Sequence, residues 1–90
     1  MTTEGDFKRA KRHKVLSVGD SVRIARELNL LTQGELAVRA SIPQSAISAI
    51  ENGRAILGTE RAKRLARALH VHPAVLLFPD WDTEVVAKRA

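Results

Sequence analysis

The stretch TQGELAVRASIPQSAISAIENGR, residues 32–54, decides how the chain folds. Thr32 and Glu35 have the T-x-x-E spacing in which two side chains reciprocally satisfy the free N–H groups at a helix start. A helix over about 33–40 follows, with Leu36, Ala37 and Ala40 on its inward side. Ser41-Ile42-Pro43 interrupts it, because the residue before a proline is driven out of the helical region. Pro43 is read as the opening residue of the next helix, since its missing N–H would have had no partner there. That second helix covers about 44–52 and stops at Gly53, which takes a left-handed conformation without penalty.

On a helical wheel, Gln44, Ser45, Ser48, Ala49 and Asn52 fall within about 140° of one another. Ala46, Ile47, Ile50 and Glu51 occupy the other arc. The first face carries no Lys, no Glu and no large apolar group. Such a face suits entry into the DNA major groove, where Gln can pair with adenine N6 and N7 and Ser with several base edges. An ordinary amphipathic helix with a polar outside has the same pattern, so this helix alone leaves both readings open.

Working outward, Ser17 and Asp20 form a near capping box ahead of Val18, Val22, Ala25 and Leu28, which predicts a helix over 18–28 with those four inward. Beyond Gly53 the chain loops to Gly58. Thr59 is expected to cap a helix whose stripe is Ala62, Leu65, Ala66 and Leu69, with Glu60 favourably placed in its first turn. Arg61, Lys63, Arg64 and Arg67 fill its other faces, and Arg61, Arg64 and Arg67 read as a solvated face in preference to a second DNA site. Pro73 opens a last short helix that offers Val75, Leu76 and Phe78 to the core, and Pro79 ends it. No segment alternates with a period of two, so the fold class is all-α, a compact five-helix bundle.

The 90 residues suit one small domain and leave little room for a deep substrate cavity. With no cysteine, disulfides and cysteine-ligated zinc are excluded, and a cytoplasmic setting is expected. No apolar run is long enough for a membrane span, and the basic N-terminal segment lacks the apolar stretch of a secretory leader. Fifteen Lys and Arg against ten Asp and Glu give +5. Residues 1–16 hold +3, residues 17–78 hold +3 and residues 79–90 hold −1. A basic body with a basic arm points to a polyanionic partner. The expected organisation is a flexible basic arm over 1–16, the helical domain over 17–79 and a short tail over 80–90.

The strings T-Q-x-E-L-A at 32–37, Ile42-Pro43-Gln44-Ser45-Ala46-Ile47-Ser48, and Glu51-Asn52-Gly53-Arg54 together resemble the Cro and phage-repressor type of helix-turn-helix domain, the XRE family. The resemblance extends over about 18–78 and includes Leu65-Ala66-Arg67-Ala68-Leu69. It implies a lambda-repressor-like bundle of five helices that binds double-stranded DNA, in many members as a symmetric dimer. It also implies base contacts by Gln44, Ser45, Ser48 and Ala49, and phosphate contacts by Gln33, Asn52 and Arg54. Arg26 and Glu51 match a structural salt bridge of the family. The chain departs from the family pattern at Ser41, where glycine is common, and at Ala49, where a longer polar reader is common.

The arm has three readings: a groove-lying segment, a solvated tail, or a segment that folds on a protein partner. Leu77, Phe78 and Trp81 could form a dimer interface, extended by Val85 and Val86, or Trp81 could cover its own core. His70 and His72 have no third ligand nearby, so no metal site is expected. No phosphate-cradling loop or nucleophile–base pair appears, so neither an enzyme nor a cofactor is expected. The reading is a sequence-specific transcriptional regulator, a homodimeric repressor on a palindromic operator. The alternative is an antitoxin that binds a toxin protein and represses its own operon.

Overall fold

The computed structural model describes residues 16–79. Within them lie five helices and no strand: α1 Val18–Leu28, α2 Gln33–Ala40, α3 Gln44–Glu51, α4 Thr59–Leu69 and α5 Pro73–Leu77. Residues 1–15 and 80–90, which include most of the basic arm, Trp81, Val85 and Val86, lie outside the described residues.

Two helices begin with complete capping boxes. Ser17 Oγ accepts from Asp20 N at 3.0 Å, and Asp20 Oδ2 accepts from Ser17 N at 3.1 Å. Thr32 Oγ1 and Glu35 make the same reciprocal pair at 3.0 and 2.8 Å. The hydrogen bonds from Ser17, backbone first and hydroxyl second, hold the Asp20 carboxyl below its ordinary pKa, helped by Arg23. A lowered folded-state pKa means this cap contributes above the ordinary carboxylate value and is lost as pH falls through the lowered one. α5 starts differently: the His72 imidazole Nδ1 accepts from Ala74 N at 3.0 Å, one residue before Pro73.

The helix ends follow one plan. Leu30, Ser41, Gly53 and His70 all stand at positive φ, between 57° and 76°. Around each, two N–H groups turn back to the last turn of the helix; at Gly53 they run from Gly53 to Ile50 O and from Arg54 to Ala49 O. These bonds satisfy carbonyls that the helix leaves open. Only one of the four residues is glycine. The left-handed conformation costs an L-residue about 1–2 kcal/mol, so three closures carry that cost.

The core is one cluster. Val22, Leu36, Ile47, Ile50, Leu65, Leu69 and Leu76 are its largest fully buried members. Each of the first three connections adds one apolar side chain to it: Leu31, Ile42 and Leu57. α1 packs on α3 and α5, α2 on α3 and α4, and α4 on α5. Two side chains tie the ends of α1 down. Ser21 Oγ donates to Val75 O at 2.8 Å, and Asn29 Nδ2 donates to Leu69 O at 3.2 Å.

Four details differ from the sequence reading. Leu28 is 79 % exposed, not inward, because the packed arc of α1 is centred between Val22 and Ala25 and Leu28 lies about 100° around from it. Val75 and Phe78 also face outward; Leu76 alone of the three is buried. Pro43, with ψ 142°, stands just before α3, and α3 ends at Glu51 with Asn52 beyond it. Gly58, extended at φ −78° and ψ 167°, precedes α4, so Thr59 is the first helical residue and makes no cap bond.

Gly19 decides how closely α1 meets α3. A Cβ there would lie 2.5 Å from the Ile50 carbonyl oxygen and 2.6 Å from that of Glu51. Both atoms are backbone, so relief requires the helices to part. Gly19→Ala is expected to cost about 1–3 kcal/mol, as overpacking does, read as a lower midpoint in thermal unfolding. Ser41→Gly is expected to act the other way. Relief of about 1–2 kcal/mol exceeds the added chain entropy of about 0.5–1 kcal/mol, so the midpoint rises.

Candidate nucleic-acid interface

α3 owes its orientation to its buried side. Ile47, Ile50 and Glu51 are all buried, which turns Gln44 and Ser45 to solvent and leaves Ser48 and Ala49 half-buried at the margin. The Gln44 amide reaches back over the first turn of α2, where its Oε1 would lie 3.4 Å from a Cβ on Gly34. The starts of α2 and α3 are therefore side by side.

Glu51 is the fixed point beneath this surface. Its side chain is 4 % exposed and that of Arg26 is 13 % exposed. Arg26 Nε donates to Oε2 at 2.8 Å and Nη2 to Oε1 at 3.1 Å, a two-pronged pair. Arg26 Nη1 also donates to Leu31 O at 2.9 Å, so the guanidinium holds α3 and the α1–α2 loop together. The bonds that Arg26 donates to Glu51 raise its pKa still further, so its charge persists. Gln33 Nε2 donates to Glu51 Oε1 at 3.0 Å. The resemblance implies a phosphate contact for Gln33, and in this structure its Nε2 is held by Glu51. Among the described residues, no buried side-chain N or O atom lacks a partner.

The other positions fall as follows. Asn52 is exposed, yet its Nδ2 donates to Ser48 O at 2.9 Å, so it closes the end of α3. The Arg54 side chain is exposed and makes no salt bridge among the described residues, while its backbone N–H is spent on Ala49 O at 2.8 Å. The first turn of α2 retains the outward N–H groups of Gln33 and Gly34, since the Thr32 cap serves Glu35. Leu77 is half-buried against the core and Phe78 is 60 % exposed.

A helix-turn-helix family model matches residues 22–76, from the middle of α1 to the end of α5. The chain belongs to the helix-turn-helix family of the Cro and phage-repressor type. As a helix-turn-helix protein it is of the DNA-binding, transcription-regulating kind. A search of curated proteins gave no match. No helix among the described residues is long and apolar enough to cross a membrane. In this helix-turn-helix domain, α2 and α3 form the paired unit. Gly19, the Gln33–Glu51 bond and the Asn52 closure complete its geometry, and the sequence reading foresaw none of these three. Gly19 and the Gln33–Glu51 bond depend on partners far along the chain, so local spacing carried no signal for them, whereas the Asn52 closure is a local contact with Ser48, four residues back.

Removing one partner of a buried ion pair leaves the other uncompensated, at about 3–5 kcal/mol. Glu51→Ala and Arg26→Ala are each expected to lose stability of that order. The double variant is expected to lose less than the sum, because neither charge is then orphaned. Denaturant unfolding of the four proteins measures this, and strict additivity would remove the coupling.

Proposed function

We propose that the chain reads a specific duplex DNA sequence as a dimeric repressor on a palindromic operator. The observation that carries this reading is the exposed start of α3, polar and uncharged, set beside the start of α2 over a locked base. With α3 in the major groove, Gln44 pairs with an adenine edge, Ser45 and Ser48 take neighbouring edges, and the Ala49 methyl meets a thymine methyl. The free N–H groups of Gln33 and Gly34 and the positive end of α2 meet a phosphate. Arg54, beyond α3, takes another. Phosphate contacts then set the register while α3 supplies the sequence information.

Leu28, Val75 and Phe78 leave an apolar face on α1 and the end of α5, and this supports self-association. A two-fold dimer repeats its reading helix, which makes an inverted-repeat site the natural partner. Repression follows from occupancy of the promoter.

Selection from a random duplex pool, followed by a salt titration of the winner, tests the proposal. An inverted repeat with half-sites about one helical turn apart is expected. Enrichment of a single half-site would overturn the dimer, and enrichment of nothing would overturn specific reading. On the selected site, Gln44→Ala is expected to cost about 1–3 kcal/mol and relax one base position. Arg54→Ala is expected to weaken all sequences alike and reduce the salt slope by about one.

A further inference from the structure

A second basic feature lies at the other end of α2. Arg39 is six residues along that helix from Gln33, about 9 Å by the helical rise. Arg39 on α2 and Arg64 and Arg67 on α4 line a cleft of about 440 Å³ together with Ser41. Its remaining lining is Ala40 and Ala68, whose small side chains leave the concavity open.

The charges in this cleft are poorly matched by the protein itself. Arg64 Nη1 donates to Ser41 O at 3.4 Å, and Arg64 Nε lies 3.9 Å from Glu60 Oε2, with both side chains well exposed. Exposed pairs of that kind contribute little. Arg39 and Arg67 make no salt bridge among the described residues. They stand in the last turns of α2 and α4, where each helix end offers about half a negative charge. That leaves an excess of positive charge gathered around a concave surface.

We propose that this cleft binds a phosphate group, gripped by Arg39 from one wall and by Arg64 and Arg67 from the other. A carboxylate has two oxygens and is filled by one or two guanidinium forks. A phosphate has more oxygens and up to two charges, which suits three forks and the Ser41 hydroxyl. The group is either a phosphate of a DNA strand or part of a free phosphorylated small molecule. The proposal does not depend on how α3 meets bases, since the cleft is at the far end of α2.

The test uses the full chain and the double variants Arg39→Ala/Arg67→Ala and Arg39→Gln/Arg67→Gln. Both arginines are exposed and take part in no side-chain hydrogen bond or ion pair among the described residues, so folding is expected to persist, as circular dichroism would verify. In the first arm, thermal unfolding is followed in sodium pyrophosphate and in sodium chloride of equal ionic strength, without DNA. In the second arm, binding to a random-sequence duplex is titrated with salt. A pyrophosphate-dependent rise in midpoint that both variants abolish, with an unchanged salt slope, establishes the site for a free phosphorylated ligand. A salt slope lowered by about two in the variants establishes it for strand phosphates. If the variants keep the slope, and pyrophosphate either fails to raise the wild-type midpoint or raises all three equally, the proposal is overturned. A wild-type chain that binds no duplex would defeat the reading under Proposed function, while the pyrophosphate arm would still decide this one.

Discussion

The Arg26–Glu51 pair is where α1, α2 and α3 meet. Glu51 closes α3 on its buried side, Arg26 reaches it from α1, and Gln33 reaches it from the first turn of α2. Two charges placed this deep gain little over an apolar replacement, because their desolvation offsets most of the attraction. Their value is geometric. A two-pronged guanidinium–carboxylate contact accepts few relative orientations, whereas a wholly aliphatic contact among α1, α2 and α3 would accept several. A helix that reads base edges has to be placed to within a fraction of an ångström, so a directional contact at its root is worth its desolvation.

The close approach of α1 to α3 makes that pair possible. Gly19 brings the backbones together at the start of α1, and Arg26 spans the gap two turns later. At the other side of the bundle, Ser21 and Asn29 bind carbonyls of α5 and α4, so α1 is held along its whole length. The bundle is small and the helices among the described residues are short, none over eleven residues. Helices of that length are marginal in isolation, so their order comes from these cross-links and from the shared core.

Charge is distributed by task over the described residues. The exposed face of α3, proposed above to read bases, carries none and presents neutral donors and acceptors instead. Arg54 lies just past that face, and the three arginines of the α2–α4 cleft stand further away. Of the large apolar side chains left outside among the described residues, Leu16, Ile24, Leu28, Val75 and Phe78 lie on or beside α1 and at the end of α5, Leu30 and Ile56 lie in loops, Val38 lies on α2, and none lies on α3. The proposed base reading, phosphate binding and self-association thus fall on different surfaces.

The sequence by itself determined where each helix starts, to within a residue at α4, and which side of α2, α3 and α4 is buried. Those features are local: a capping box joins residues three positions apart, a proline restricts its own neighbour, and an apolar stripe repeats every three or four positions. It also determined that α3 shows Gln44 and Ser45 outward, because Ile47, Ile50 and Glu51 leave no other side. Local spacing misjudged Leu28, Val75 and Phe78, since an apolar residue at the edge of a stripe is buried only if a neighbouring helix extends over it. The tertiary structure alone decided that Gly19 must be small, that Gln33 turns half of its amide to Glu51, and that Arg39, Arg64 and Arg67 share one cleft. Each of these follows from residues 18 to 32 positions apart meeting in space, and a distance of that kind is set by how helices pack, not by the residues that lie between them.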